Sequence, residues 1–161
     1  DTSNFLTEHG IGSYEELLDR CEVASASAAR LKADLRDTGA KIDELALKMK
    51  HVAAYRQLKP IYDRYKASRD KEKFLRGHES EIILFEAAAR ECKRLGAVPL
   101  PATERMQAEI DELNARKAIL KAELQKAQRK EQDYAAMRQN VEDFLSPPQP
   151  EQERKKNVEL E

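Results

Sequence analysis

Tryptophan is absent from the 161-residue sequence, glycine occurs five times and cysteine twice. So little glycine leaves no glycine-rich phosphate loop, and the two cysteines, Cys21 and Cys92, stand alone, with no Cys-x-x-Cys spacing for a metal or redox pair. Each falls on an expected apolar helix face, where cysteine acts as a small buried hydrophobe. The three histidines, His9, His51 and His78, are far apart and form neither His-x-His nor His-Glu-x-x-His, so local spacing gives no metal site. No apolar run reaches the roughly 18 residues needed to cross a bilayer, and no secretory leader is recognisable. A cytoplasmic protein without membrane insertion is expected. Ser, His and Asp occur singly, with nothing to gather them, so the sequence supplies no catalytic residue, cofactor site or small-molecule substrate site.

What the chain has in quantity is charge, 37% of residues, with a net charge of only -1. This is the composition of long helices with solvated faces rather than of a deep globular core. The apolar residues recur at helical spacing. Leu17, Cys21, Ala24, Ala28, Leu31, Leu35, Thr38, Ile42, Leu45, Met49 and Val52 alternate four and three apart, and all but Thr38 are apolar, the signature of a coiled-coil seam. A second row, Met106, Ile110, Leu113, Lys117, Leu120, Leu124, Ala127, Glu131, Tyr134, Arg138, Val141 and Leu145, repeats the spacing. Lys117, Glu131 and Arg138 interrupt it, either setting register as buried polar positions do or snorkelling from the seam edge.

The punctuation divides the chain. A short helix is expected over about 3–9, closed by Gly10, giving an N-terminal segment 1–12. Ser13 and Glu16 form a capping box opening a first arm, 13–58, in which Gly39 costs about 1 kcal/mol against Ala. Pro60 either kinks or ends this helix, and Ile61, Tyr62 and Tyr65 continue its stripe, favouring a kink. In a head, 59–100, the apolar run Ile82–Phe85 with Ala87–Ala89 predicts a helix over about 79–95, closed by Gly96, with Pro99 and Pro101 in a turn. A second arm, 101–145, begins near Ala102 or Thr103 and stops before Pro147, Pro148 and Pro150; the tail, 146–161, reads as disordered. The opening Asp1 and the closing Leu160 and Glu161 suggest an excised fragment with a cloning remnant. At about 1.5 Å per residue, both arms are about 65 to 70 Å long. Equal arms around a compact insert predict an all-α fold, a long antiparallel coiled-coil hairpin with a small helical head at the tip. One seam between two helices leaves some apolar surface, so a homodimer is a second expectation.

Charge is unevenly spread. Residues 48–76 carry ten Lys and Arg against Asp63, Asp70 and Glu72, a net of +7, whereas 1–47 carry a net of -5 and 77–115 a net of -4. Lys59, Arg64, Lys66, Arg69, Lys71, Lys73 and Arg76 are the candidate contacts to nucleic acid or an acidic partner, because clustered cations neutralise phosphates and release counterions. The competing reading is neutralisation by the acidic 77–115 segment. Tyr55, Tyr62 and Tyr65 share a helical stripe and are expected in the core.

Three blocks carry a resemblance: Asn4-Phe5-Leu6-Thr7-Glu8-His9-Gly10-Ile11-Gly12-Ser13-Tyr14-Glu15-Glu16-Leu17, Tyr62-Asp63-Arg64-Tyr65-Lys66-Ala67-Ser68, and His78-Glu79-Ser80-Glu81-Ile82-Ile83-Leu84 with Ala87-Ala88. Together with Leu95-Gly96, Leu100-Pro101 and the charged helix that follows, they resemble the C-terminal region of the relaxase/mobilisation nucleases of conjugative and mobilisable elements of Gram-positive gut bacteria. The resemblance covers about residues 4–145. Such relaxases nick DNA with a tyrosine nucleophile and a metal held by a His-x-His type cluster in an N-terminal nuclease domain. That cluster is missing here, so no catalytic residue carries over. The resemblance implies a non-catalytic module that contacts DNA at an origin of transfer, accessory mobilisation proteins or coupling proteins. The alternative is a structural coiled coil that dimerises its parent without touching nucleic acid, and a third reading, an independent enzyme, requires a clustered polar pocket.

Overall fold

The computed structural model describes residues 7, 8 and 10–146. Among them the regular structure is helical: α1 spans Tyr14–Ala67, α2 spans Lys71–Arg94 and α3 spans Thr103–Leu145. The all-α expectation holds. Of the expected first helix over 3–9, Thr7 and Glu8 are helical and the rest lies outside the described residues, as does the tail beyond Ser146.

The capping chemistry at the start of α1 differs slightly from expectation. The Ser13 hydroxyl accepts from the Glu16 amide at 3.1 Å, but the Glu16 carboxylate reaches one residue further back and accepts from the Gly12 amide at 2.8 Å. That amide, followed by Arg20, holds the Glu16 carboxyl below its ordinary pKa. α1 then runs through both Gly39 and Pro60 to Ala67. Pro60 removes one helical hydrogen bond, yet the helix does not end there, because Tyr55 and Tyr62 on either side of it both pack on Phe85 of α2, Tyr55 tilted at 4.8 Å and Tyr62 stacked at 4.4 Å between centroids. α2 begins at Lys71, eight residues before the expected start at 79, because the Asp70 carboxylate caps it by accepting from the Lys73 amide at 3.1 Å. Non-helical dihedrals at His78 mark a kink, so the predicted segment from Glu79 is the second part of this helix. Gly96, with φ +70, closes α2, and the Ala97 amide donates to the Cys92 carbonyl at 2.8 Å, a Schellman arrangement that only a residue tolerating positive φ forms without strain.

The chain divides into two compact units, 1–34 with 120–161 and 35–119. In the first unit Ile11, Leu17, Met137 and Val141 form the core, with Tyr14, Cys21 and Tyr134 packed against them. The Tyr14 hydroxyl donates to Glu142 at 3.0 Å and the Cys21 thiol donates to the Tyr134 carbonyl at 3.4 Å, so α1 and α3 run antiparallel there. In the second unit Val52, Cys92, Ala97 and Met106 form the core, with Met49, Tyr55 and Leu100 around it. The Arg56 guanidinium donates to the Pro101 carbonyl at 2.7 Å and to the Thr103 hydroxyl at 2.9 Å, tying α1 to the start of α3.

All eleven positions of the first seam are buried or half-buried, the polar Thr38 included. The second seam is followed as far as Tyr134 and again at Val141, but Arg138 and Leu145 leave it. Met137 is buried while Arg138 and Leu145 are exposed, because Arg138 turns outward to donate to Glu142 at 2.9 Å.

Leu17 is fully buried, so Leu17→Ala is expected to destabilise the fold by about 2 to 5 kcal/mol in urea unfolding, whereas Val23→Ala, at 69% exposure, changes stability by less than about 0.5 kcal/mol. Arg138 and then Tyr14 hold the Glu142 carboxyl below its ordinary pKa of 4.5. A depressed folded-state pKa contributes stability above the unfolded value that is lost as pH falls through the folded value. Thermal melts between pH 7 and 3 are therefore expected to show smaller acid destabilisation in Glu142→Gln than in the unaltered chain.

Candidate nucleic-acid interface

The basic segment lies wholly in the second unit, at the end of α1, the turn 68–70 and the start of α2. The turn is short and polar: the Ser68 amide donates to the Tyr65 carbonyl at 3.2 Å and the Ser68 hydroxyl to the Asp70 carbonyl at 3.1 Å. It folds α2 back so that its aromatic residues meet those of α1. The result is a continuous row of rings. Tyr55 and Tyr62 contact Phe85, Tyr62 contacts Tyr65 at 6.1 Å, Tyr65 contacts Phe74 at 6.1 Å, and Phe74 stacks on His78 at 4.4 Å. Phe85 is buried and the others are half-buried. The tyrosines, expected in the core, are half-buried and pack against one another and against Phe74 and Phe85 in tilted and stacked pairs.

All seven candidate cations are exposed, but the structure separates them into two groups. Three are engaged. Lys59 donates to Asp63 at 2.8 Å, one turn away, and this bond raises the Lys59 pKa. The Arg64 guanidinium lies 5.7 Å from the Phe74 centroid and the Lys66 ammonium 5.2 Å from that of Tyr62, so both use their charge against the aromatic row. The remaining four, Arg69, Lys71, Lys73 and Arg76, form no ion pair or side-chain hydrogen bond among the described residues. They crowd the turn and the first part of α2, where the helix dipole disfavours cations. Asp70 forms no ion pair with them among the described residues; one of its carboxylate oxygens accepts from the Lys73 amide.

Neutralisation by the acidic segment is not formed as ion pairs. Among the described residues, Lys48 pairs with Glu44 and Lys59 with Asp63, both within α1, and no cation of 48–76 pairs with an acid of 77–115. Glu91 instead pairs with Arg94 inside α2, and His78 Nδ1 lies 3.3 Å from Glu81.

The spacing of the cations was legible in the sequence; their division was not. Nothing in the order of residues announces that Phe74 and Phe85, from α2, would meet the tyrosines of α1, or that Arg64 and Lys66 would lie near the rings of Phe74 and Tyr62.

Elsewhere the structure offers little chemistry. A groove of about 380 Å³ in the first unit is lined by Val23, Ala24, Ala127 and Tyr134 with Asp19, Arg20 and Lys130, and it arises because alanines at the seam leave α1 and α3 incompletely filled. Among the described residues no group of three or more His, Cys, Asp or Glu is placed to hold a metal, and no helix is long and apolar enough to cross a membrane. His51 and His78 are separate, and His9 lies outside the described residues. Burial pushes the Cys92 thiol above its ordinary pKa, away from the reactive thiolate form. Compared with known proteins, the chain is matched by no family model, no curated sequence and no solved structure.

Proposed function

We propose that this chain is a non-catalytic helical module of a DNA-mobilising relaxase, and that it contacts nucleic-acid phosphate through the corner between α1 and α2. The observation that carries the contact is the group Arg69, Lys71, Lys73 and Arg76, exposed and without an acidic partner among the described residues. Four cations at a helix start raise the electrostatic free energy of the isolated chain, and an approaching polyanion relieves it. The relaxase parent rests on the resemblance of residues 4–145 alone. It makes DNA at an origin of transfer the natural polyanion and gives the module a cytoplasmic setting.

The corner suits sequence-independent binding. Its exposed groups are flexible cations suited to phosphate, while its rings are occupied with one another and offer no open stacking platform. A module of this kind holds DNA near a nuclease domain on the same polypeptide, raising the local concentration of substrate without touching the reacting bond. An accessory protein with an acidic face would meet the same cations, and the DNA titration separates the two.

Labelled single-stranded and duplex DNA are titrated with the chain at about 50 and 200 mM salt. Binding that weakens steeply with salt is expected. The quadruple variant Arg69→Glu, Lys71→Glu, Lys73→Glu and Arg76→Glu is expected to lose about 100-fold or more in affinity while keeping its helical circular dichroism, since acids suit the first turns of α2. Lys59→Ala, which removes a cation already bonded to Asp63, is expected to change affinity by less than about threefold. Absence of salt-dependent binding, or unchanged binding by the quadruple variant, contradicts the DNA contact. The parent is tested separately by the coding sequence upstream of Asp1, where a His-x-His cluster and an early tyrosine are expected in frame.

A further inference from the structure

Charge in the first unit is sorted along its length. Over 23–34 of α1 and 120–130 of α3, Arg30, Lys32, Lys121, Lys126, Arg129 and Lys130 stand against Asp34 and Glu123, a net of +4. The other described residues of that unit carry nine acids against Arg20 and Arg138, a net of -7. The two stretches also use their cations differently. Arg20 pairs with Glu16 and Arg138 with Glu142, whereas none of the six in the basic stretch joins an ion pair among the described residues. All six are exposed. The antiparallel register brings the shares of the two helices together: with Cys21 bonded to Tyr134, equal rise along both helices sets Arg30 about level with Gln125 and Lys126. Lys126, Arg129 and Lys130, at i, i+3 and i+4, share one face of α3. Glu123 and Asp133 lie one turn before and one turn after them on that face, so the acids bracket the three cations without interleaving them.

We propose that this basic stretch is a second phosphate-binding surface, which takes duplex DNA independently of the corner cations Arg69, Lys71, Lys73 and Arg76. The choice of DNA as the polyanion rests on the reading given for the corner. The charge that holds it is separate. Six exposed cations without ion-pair partners leave a positive field that reaches solvent, and a duplex, with one phosphate per about 1.7 Å of axis, supplies the missing counter-charge and releases condensed ions as it docks. The acidic stretch fixes how the duplex lies. Running along α3 toward its C-terminus, DNA meets Glu131, Asp133, Glu142 and Asp143; crossing the helix pair at the level of 126–130, it meets cations of both helices and clears the acids of the last two turns. Neither 23–34 nor 120–130 contains an aromatic residue, so no ring stands ready to hold an unstacked base, and a paired strand of high charge density is favoured over a single one.

The test uses the full 161-residue chain carrying Arg69→Gln, Lys71→Gln, Lys73→Gln and Arg76→Gln, which removes the corner charge without adding acids. Duplex DNA is titrated with this corner variant at about 50 and 200 mM salt. Weak binding that falls with salt is expected to remain. Adding Lys126→Gln, Arg129→Gln and Lys130→Gln weakens it by at least about tenfold and makes the slope of log affinity against log salt shallower by about 2.7. Single strands of the same length bind the corner variant at least about threefold more weakly than duplex. Glutamine matches lysine and arginine in helix propensity, and circular dichroism verifies that each variant folds. A corner variant with no salt-dependent binding overturns this surface while the corner stands, and so does residual binding indifferent to the three α3 substitutions. Equal affinity for single strands overturns the choice of duplex. Absence of binding by the unaltered chain overturns the DNA reading itself, and this surface with it.

Discussion

Everything in this protein depends on the exclusion of water from one row of side chains on α1. A 54-residue helix in a chain this rich in charge gains little from backbone hydrogen bonding alone, because water competes for every amide it exposes. Tertiary burial makes the difference. Leu17, Ala24, Ala28, Thr38 and Val52 are buried along this helix, and they carry it through a glycine and a proline that would each weaken it in isolation. In both compact units the row meets α3 running the opposite way. Since the seam uses the inward face for packing, the outward faces are left to charge, and what the protein can do is decided by where that charge is cancelled and where it is not.

The seam was legible because its signal repeats. Eleven positions in a four-three alternation leave little freedom in assigning the inner face, and every one of them is removed from solvent at least in part. The second row was legible only where its apolar residues are dense. Past Tyr134 the alternation places Arg138 inside, but a guanidinium with Glu142 one turn away gains more from that bond at the surface than from the seam. Met137, one residue earlier, takes the buried place. Pro60 and Asp70 illustrate a different limit. A proline's local effect is to interrupt and a lone aspartate's local effect is ambiguous, yet Tyr55 and Tyr62 clamp the helix across the first through Phe85, and the second caps α2 so that it begins eight residues before the expected start at Glu79. The first outcome depends on Phe85, far along the chain, which no local pattern contains; the second rests on a bond to Lys73 only three residues away.

The candidate site shows the same division. The excess of cations over 48–76 can be counted from the sequence, but the count overstates the charge available to a partner. Lys59 is bonded to Asp63, and Arg64 and Lys66 lie over aromatic rings. What remains is a compact group at the start of α2, held in place by a ring stack that leaves its tyrosines no further task.

Whether Arg69, Lys71, Lys73 and Arg76 act as one phosphate-binding group is decided by the salt dependence of DNA affinity in the unaltered chain. If these four cations each displace a counterion, the logarithm of the binding constant falls with the logarithm of salt concentration at a slope of about -3.6 on duplex DNA and about -2.8 on single strands. A slope near zero, or no measurable binding at low salt, contradicts a phosphate contact at this corner.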